Sequence, residues 1–229
     1  MISTKNIPSE GTSIPKTIQP GNHVITVTSI KLDTPPYNKD AYNVILNVEG
    51  PELEGFDGFW INKDDQSLGK HKGQVGLVKL TQYPFADSTT KSGVAVSRDA
   101  EMLKSLQSFC GALSCMEWFT AQDNKHNTFE ELVAALNAEK PFASKKLRCC
   151  IGGNEYENKQ GYLAYDLHFV RSTKDGLGYE NANVAEASSR VATFNPDTHI
   201  RRKKVEPVAS FGTDGGVPTS NSVSNDFVL

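Results

Sequence analysis

The chain has 229 residues, of which 38% are hydrophobic and 22% are charged, and its formal net charge is −3. This length and composition can support one sizeable hydrophobic core with an appendage. The near balance of charge argues against a protein that binds nucleic acid or anionic membrane through a global excess of positive charge. The sequence contains neither an apolar run of membrane-spanning length nor the apolar segment of a signal peptide, so a cytoplasmic protein without membrane partners is expected.

Composition divides the chain into three parts. Residues 1–19 are rich in Ser, Thr, Pro and Gly, which predicts a flexible N-terminal arm. Residues 20–170 hold nearly all of the periodic apolar pattern and predict the folded domain. Residues 171–229 have no sustained period and predict a mostly disordered tail, with a basic cluster at 201–204 and an apolar tip at 227–229.

The first half of the domain predicts strands. Residues 23–32 are rich in β-branched side chains, and residues 42–50 alternate between apolar and polar ones. The turn-forming sequence PPYNKD at 35–40 separates them, so the two predict a hairpin. Further strands are predicted within 54–61 and 73–83.

Two amphipathic helices follow, near 98–114 and 128–138. Their apolar residues recur at intervals of three and four, which is the helical period. Ser97 is the predicted N-cap of the first helix. Thr128 opens the second helix, and Glu131 stands three residues later, which is the pattern of a capping box.

Strands return at 145–153 and 162–170 and predict a closing hairpin. A series of strands with one helical interruption favours a small Greek-key barrel. The predicted fold is therefore mainly β with a helical insertion, an OB-like five-stranded barrel plus a disordered C-terminal tail. An α+β sandwich is the alternative.

Signatures of catalysis are missing from the sequence. The stretch DDQSLGKHKG lacks the spacing of a phosphate-binding loop. The five histidines are scattered, and His168, on a predicted strand, is interpreted as a structural or surface residue. The four cysteines lack the spacing of a zinc site and are expected to be small buried hydrophobic groups: Cys110, Cys115, Cys149 and Cys150. The sequence thus predicts a protein that is not an enzyme and has no cofactor and no metal.

Local charge is more informative than net charge. Residues 66–86 and 140–151 contain cations and no acidic residue, and aromatic residues stand within or beside these segments. Cations that track phosphates and aromatic rings that stack on bases are what single-stranded nucleic acid requires. The candidate nucleic-acid-binding residues are Phe59, Trp60, Lys70, Lys72, Lys79, Tyr83, Lys146, Arg148, Tyr156, Lys159 and Tyr162.

Segment 145–170, with Tyr156, Lys159 and Tyr162 near its turn, is similar to the β-hairpin of phage OB-type domains. The ending NDFVL, behind a polar linker, resembles the tail of the single-stranded DNA-binding proteins of bacteria and tailed phages. In that family an OB barrel holds the strand, and an acidic tail with a hydrophobic end recruits polymerase, helicase or primase. The tail here carries fewer acidic residues and ends in Phe-Val-Leu rather than Pro-Phe.

The resemblance implies a protein that binds and protects single-stranded DNA in phage-type replication or recombination. It would act in the host cytoplasm if a phage encodes it. The residues implied in binding replication partners are Asp226, Phe227, Val228 and Leu229. Two other functions stay open: a virion or assembly protein whose terminal arms mediate self-association, and a small hydrolase without a recognisable motif. A homo-oligomer is compatible with the DNA-binding function and with the assembly function.

Overall fold

A computed structural model describes residues 17–51, 58–61, 68–71 and 73–202, with the backbone alone for 58–61 and 68–71. The strands are β1 (Gly21–Asp33), β2 (Asn43–Glu49), β3 (Gly58–Ile61), β4 (Leu68–His71), β5 (Val75–Lys79), β6 (Ser88–Thr89), β7 (Ala95–Val96), β8 (Lys146–Glu157), β9 (Leu163–Phe169), β10 (Tyr179–Asn181) and β11 (Ile200–Arg201). The helices are α1 (Arg98–Ala112), α2 (Met116–Ala121), α3 (Phe129–Glu139) and α4 (Pro196–His199), and Glu186–Ser188 forms one turn of 3-10 helix.

Five of the strands close into a barrel in the order β1-β2-β5-β9-β8, with β8 returning to β1. All of these pairings are antiparallel except that of β5 with β9, which is parallel. A closed five-stranded barrel with this connectivity and a helical segment between its third and fourth strands is OB-like. The predicted fold class is confirmed, and the α+β sandwich is not observed.

The long strand β1 belongs to both sides of the barrel. Residues Gly21–Thr26 pair with β8, and Thr26–Asp33 pair with β2. A register shift between Val27 and Ser29 marks a β-bulge, and bulges bend the strand that carries them. The bulge therefore lies where one strand has to turn from one neighbour to the next.

Helices α1 and α3 confirm the two predicted helices. The Ser97 hydroxyl accepts a hydrogen bond from the Ala100 amide at 3.5 Å, and the Thr128 hydroxyl accepts one from the Glu131 amide at 3.2 Å. The Glu131 carboxylate accepts from the amide of Asn127 at 2.8 Å, one residue earlier than a standard capping box. Helix α2 was not predicted.

One hydrophobic core joins the helical insertion to the barrel. Phe109 and Leu136 from the helices share a buried cluster with Leu46 and Leu147 from the strands. All four cysteines are buried and free, as the sequence predicted. Buried apolar area of this kind, rather than local propensity, supplies most of the stability that holds helices in place.

The boundaries of both predicted terminal segments need correction. Ile18, assigned to the flexible arm, is buried, and its amide donates to the Val75 carbonyl at 3.0 Å. Residues 171–202, assigned to the disordered tail, fold against the barrel, with β10 and β11 both pairing with β8. We call residues 171–202 the extension.

Tyr179, which packs against Phe109 and Phe169 of the core, and a set of polar contacts hold the extension. One aromatic residue and polar contacts leave no periodic apolar stripe, which is why periodicity did not reveal the extension. The Asn22 side chain donates to the Ala192 carbonyl at 2.8 Å and accepts from the Phe194 amide at 2.7 Å. Glu180 is buried and accepts from the Ser189 hydroxyl and the Arg190 amide. The rest of the predicted tail, 203–229, and residues 1–16 of the predicted arm lie outside the described residues.

Candidate nucleic-acid interface

The outer face of the barrel along β5, β9 and β8 follows from strand alternation. Val78 and Leu167 are opposite each other and point into the core, so the next pair, Lys79 and His168, lies on the outer face. On the neighbouring strands, Asp166 is paired with Asn154 and Ala164 with Tyr156. Tyr156 is therefore on the same outer face as Lys79 and the alternate residues of β9.

The turn between β8 and β9 carries two exposed aromatic groups of this face. Tyr156 is 48% exposed and Tyr162 is 69% exposed, and Leu163 beside them is 65% exposed. The Asn158 side chain accepts hydrogen bonds from the amides of Gln160 and Tyr162 at 2.9 and 3.0 Å, which fixes the turn. We call residues 156–163 the hairpin tip.

Lys159 is exposed in this turn, between Tyr156 and Tyr162 in the chain. Tyr156 and Tyr162 share a face because Asn158 bonds to the Tyr162 carbonyl and Tyr156 is opposite Ala164. A cation and two rings are thus presented together at the hairpin tip. This combination can contact a phosphate and stack on bases at the same time.

Lys79 lies on the outer face with its charge already compensated. Its ammonium group is 2.7 Å from a carboxylate oxygen of Asp166, and the two side chains are 23% and 39% exposed. A lysine in such an ion pair contributes less to phosphate binding than a lysine without a partner. The sequence did not reveal this pair because the residues are 87 positions apart.

Tyr83 lies four residues after β5 and is 54% exposed. Its hydroxyl accepts a hydrogen bond from the guanidinium of Arg201 at 3.1 Å. Arg201 in turn is opposite Asn154 on β8, on the same outer face. The extension therefore brings a cation of the predicted basic cluster 201–204 to the barrel, next to a predicted stacking residue.

Arg148 and Lys146 lie at the other end of β8. The Arg148 guanidinium donates to the Val184 carbonyl at 2.9 Å and stands 3.9 Å from a carboxylate oxygen of Glu180, both in the extension. Lys146 is exposed at the start of the strand. At about 3.3 Å per residue, roughly 30 Å of strand separates Lys146 from Tyr156. The structure does not bring these two cations to the hairpin tip.

Several predicted binding residues lie outside what the structure describes. Phe59, Trp60 and Lys70 belong to β3 and β4, which pair with each other in a hairpin apart from the barrel, and nothing follows for their side chains. Lys72 and the four predicted partner-binding residues, Asp226, Phe227, Val228 and Leu229, are also outside the described residues.

The structure adds an exposed aromatic residue that the sequence argument missed. Tyr37, in the loop between β1 and β2, is 80% exposed. The loop is ordered by the Asn38 amide, which donates to the Pro35 carbonyl at 3.1 Å, and by Arg98, which donates to the Asp40 carbonyl at 2.7 Å. The sequence does indicate this exposure, because Tyr37 lies in the turn-forming sequence PPYNKD, and a turn does not bury a ring in the core.

His168 is a buried titratable group of this face. It is 4% exposed, and burial lowers its pKa below the ordinary histidine value. Its Nδ1 faces the Asp166 carbonyl at 3.5 Å. The histidine is therefore neutral at pH 7, in keeping with its interpretation as a structural residue.

Comparisons with protein-family models, with curated proteins and with solved structures found no match to this chain. The OB-like assignment accordingly rests on the order, direction and register of the strands. Within the described part of the chain, no helix is both long and apolar enough to cross a membrane.

Proposed function

We propose that this protein binds and protects single-stranded DNA, with the strand lying across the outer face of the barrel. The observation that carries the proposal is the exposure of Tyr37 and Tyr162 on the two loops that flank this face. In OB folds, the loop between the first two strands and the loop between the last two bind oligonucleotides together with the second and third strands. Here those loops are the β1–β2 loop and the hairpin tip.

Stacking on bases would explain why these tyrosines are exposed to solvent. A large exposed ring loses favourable burial in the free protein, and a base that covers it restores that burial. Base–aromatic stacking is worth about 1–3 kcal/mol per base and tolerates any sequence. Tyr37, Tyr83, Tyr156 and Tyr162 are each about half exposed or more, so several bases could be held in this way.

The charge of the face fits a binder that depends more on stacking than on phosphate contacts. Lys159 and Arg201 are exposed cations near the tyrosines, and Lys79 is offset by Asp166. For single strands the logarithmic salt slope is about −0.7 per neutralised phosphate, so the two contacts give a slope of about −1.4. We therefore expect a moderate salt dependence.

The biological setting proposed is phage-type DNA replication or recombination, in the cytoplasm of the host. The support is the sequence resemblance of the closing hairpin and of the chain end to single-stranded DNA-binding proteins. The tip Asp226–Leu229 would then recruit a polymerase, helicase or primase. Pull-down of a cognate replication protein by the full chain, and its loss when residues 226–229 are deleted, tests this part separately.

The test of the main proposal is fluorescence polarisation with labelled oligo-dT of about thirty nucleotides, using the full chain at 50 and 200 mM salt. We expect a dissociation constant between nanomolar and micromolar at the lower salt, with weakening at the higher salt. Duplex DNA of the same length is the control and should bind more weakly. The absence of any oligo-dT binding at low salt and micromolar protein would overturn the proposal.

A further inference from the structure

A cavity of about 760 Å³ lies between the outer face of the barrel and the extension. Its barrel side includes Gln82, His168 and Val170, and its extension side includes Arg171, Asn195, His199 and Arg201. A volume of this size is within the range of small-molecule sites and can hold a nucleotide. The cavity exists because the extension folds back over the sheet instead of leaving it.

Positive charge dominates the described lining of this cavity. Arg171 and Arg201 contribute two guanidinium groups, Asp175 contributes one carboxylate, and neither arginine is in an ion pair among the described residues. The neighbouring Arg202, by contrast, lies 3.7 Å from Asp197 and does not line the cavity. A planar guanidinium matches the geometry of phosphate oxygens and can bind two of them at once.

His199 adds a neutral hydrogen-bond donor. Its Nδ1 accepts from the Asn195 amide at 3.1 Å, with the Cys150 sulfur 3.6 Å away. In a neutral ring whose Nδ1 is an acceptor, the proton is on Nε2, which then can only donate. Burial lowers the pKa of His199, which favours this neutral form.

Gly152 makes room for the two histidines. It is opposite His168 on β9, and a Cβ at this position would lie 2.6 Å from the His199 carbonyl oxygen and 3.2 Å from the His168 Nε2. A side chain would therefore push the extension away from the barrel and open the cavity wall. The bare backbone of β8 is what allows the two walls to meet.

We propose that this cavity binds one nucleoside phosphate unit of the single strand, with its phosphate held by Arg171 and Arg201 and by the Nε2–H of His199. Tyr83, hydrogen-bonded to Arg201 at the rim, offers a half-exposed ring on which the base can stack. The inference rests on the proposed function and gives it a specific anchoring site. The extension, rather than the barrel alone, then supplies part of the DNA-binding machinery.

The test uses dTMP, thymidine and inorganic phosphate with the full-length ¹⁵N-labelled chain, followed by amide chemical shifts. We expect dTMP to shift amides of the cavity, such as those of Thr193 and Thr198, and to bind at least tenfold more tightly than either of the other two. The bound phosphate should also raise the pKa of His199, because a nearby anion favours the imidazolium. Equal affinity for thymidine or for inorganic phosphate would overturn the assignment of a nucleotide site.

Arg171→Gln and Arg201→Gln should each weaken dTMP binding about tenfold, since each removes a charge-assisted hydrogen bond. Arg202→Gln is the matched control, because Arg202 is adjacent but faces Asp197, and it should leave dTMP binding unchanged. Thermal unfolding of each variant shows whether the fold is retained. The same loss in all three variants would sink the proposal, since it would indicate non-specific attraction.

Binding of oligo-dT distinguishes failure of the cavity proposal from failure of the proposed function. If oligo-dT binds to the wild type but neither Arg171→Gln nor Arg201→Gln weakens it and dTMP gives no shifts, the cavity proposal fails while the proposed function stands. If the wild type does not bind oligo-dT at all, the proposed function fails first. Weakening of both dTMP and oligo-dT by the two cavity variants supports the site.

Discussion

The two halves of β8 have the same alternating pattern, but the outer face of the first half is covered and that of the second half is exposed. Alternation places Arg148, Cys150, Gly152, Asn154 and Tyr156 on the same outer face of the strand. In the first half, β1 pairs along one edge and β10 along the other, and residues of the extension contact Arg148 and Cys150 on the outer face. In the second half the strand runs out to the hairpin tip, where Tyr156 is 48% exposed.

This difference shows that a side chain pointing outward from a strand is not necessarily accessible to a ligand. Arg148 and Tyr156 are equivalent by period, but the Arg148 guanidinium is occupied by Val184 and Glu180, whereas the Tyr156 ring is available to a ligand. The segment that makes the difference begins at residue 171, after the last strand of the barrel. We therefore expect substitutions in the covered half to alter stability and substitutions at the tip to alter binding.

The largest effect is expected at the open tip. Replacing Tyr156 and Tyr162 together by Ala should weaken oligo-dT binding by about 1–3 kcal/mol for each ring, or roughly 5- to 150-fold per ring. Thermal stability should change little because both rings are exposed. The Tyr→Phe pair at the same positions keeps the stacking surface and is the matched control. If the Ala pair binds oligo-dT as the wild type does, the tip is not the stacking surface.

The covered half should respond in the opposite way. Arg148→Ala removes the partner of Glu180, whose side chain is 8% exposed, and leaves that carboxylate to the Ser189 and Arg190 donors. We expect a loss of about 2 kcal/mol in the free energy of unfolding, measured with urea, and unchanged oligo-dT affinity of the folded protein. Lys146→Ala, two residues away and exposed, should leave stability nearly unchanged. A stable Arg148→Ala variant with weakened DNA binding would show that Arg148 contacts DNA and does not stabilise the fold.

The dependence of stability on pH should show whether the region around His168 excludes water. Because burial lowers the pKa of His168, the unfolded chain binds more protons than the native one once the pH falls below the unfolded histidine pKa. Stability from this group is therefore complete at higher pH and is lost as the pH falls from about 7 towards 5. The groups that influence His168 are Asp166, Lys79 and His199.

His168→Gln should flatten this dependence. Urea unfolding at a series of pH values between 5 and 8 measures the slope for the variant and the wild type. An equal slope in both proteins would mean that His168 is hydrated, and that the extension does not seal this part of the face.

The smallest effect is expected at the cation of the tip. Lys159→Ala should reduce the magnitude of the logarithmic salt slope of oligo-dT binding by about 0.7 and weaken binding only a few-fold at moderate salt. Stability should not change, because Lys159 is exposed in a turn. Polarisation at four salt concentrations gives the slope. Gln160→Ala, on the same turn, is the uncharged control.

Sequence reasoning succeeded where the physics is local. Alternation predicted the β1–β2 and β8–β9 hairpins, and helical spacing with Ser97 and Thr128 as caps predicted α1 and α3. The candidate pair Tyr156 and Tyr162 also followed from local pattern, because two exposed rings on either side of a turn need no distant partner. The strand predicted at 145–153 ends four residues too early, since residues 154–157 still pair with β9.

By itself, the sequence determined the strand–helix–strand order, the buried faces and the turn that presents the tyrosines, because each depends on residues a few positions apart. The tertiary structure decided which outward-facing residues are accessible. The Lys79–Asp166, Tyr83–Arg201 and Asn22–Ala192 contacts join residues 87, 118 and 170 positions apart. No period in the sequence records such contacts, since they form when the barrel closes and the extension folds back over it.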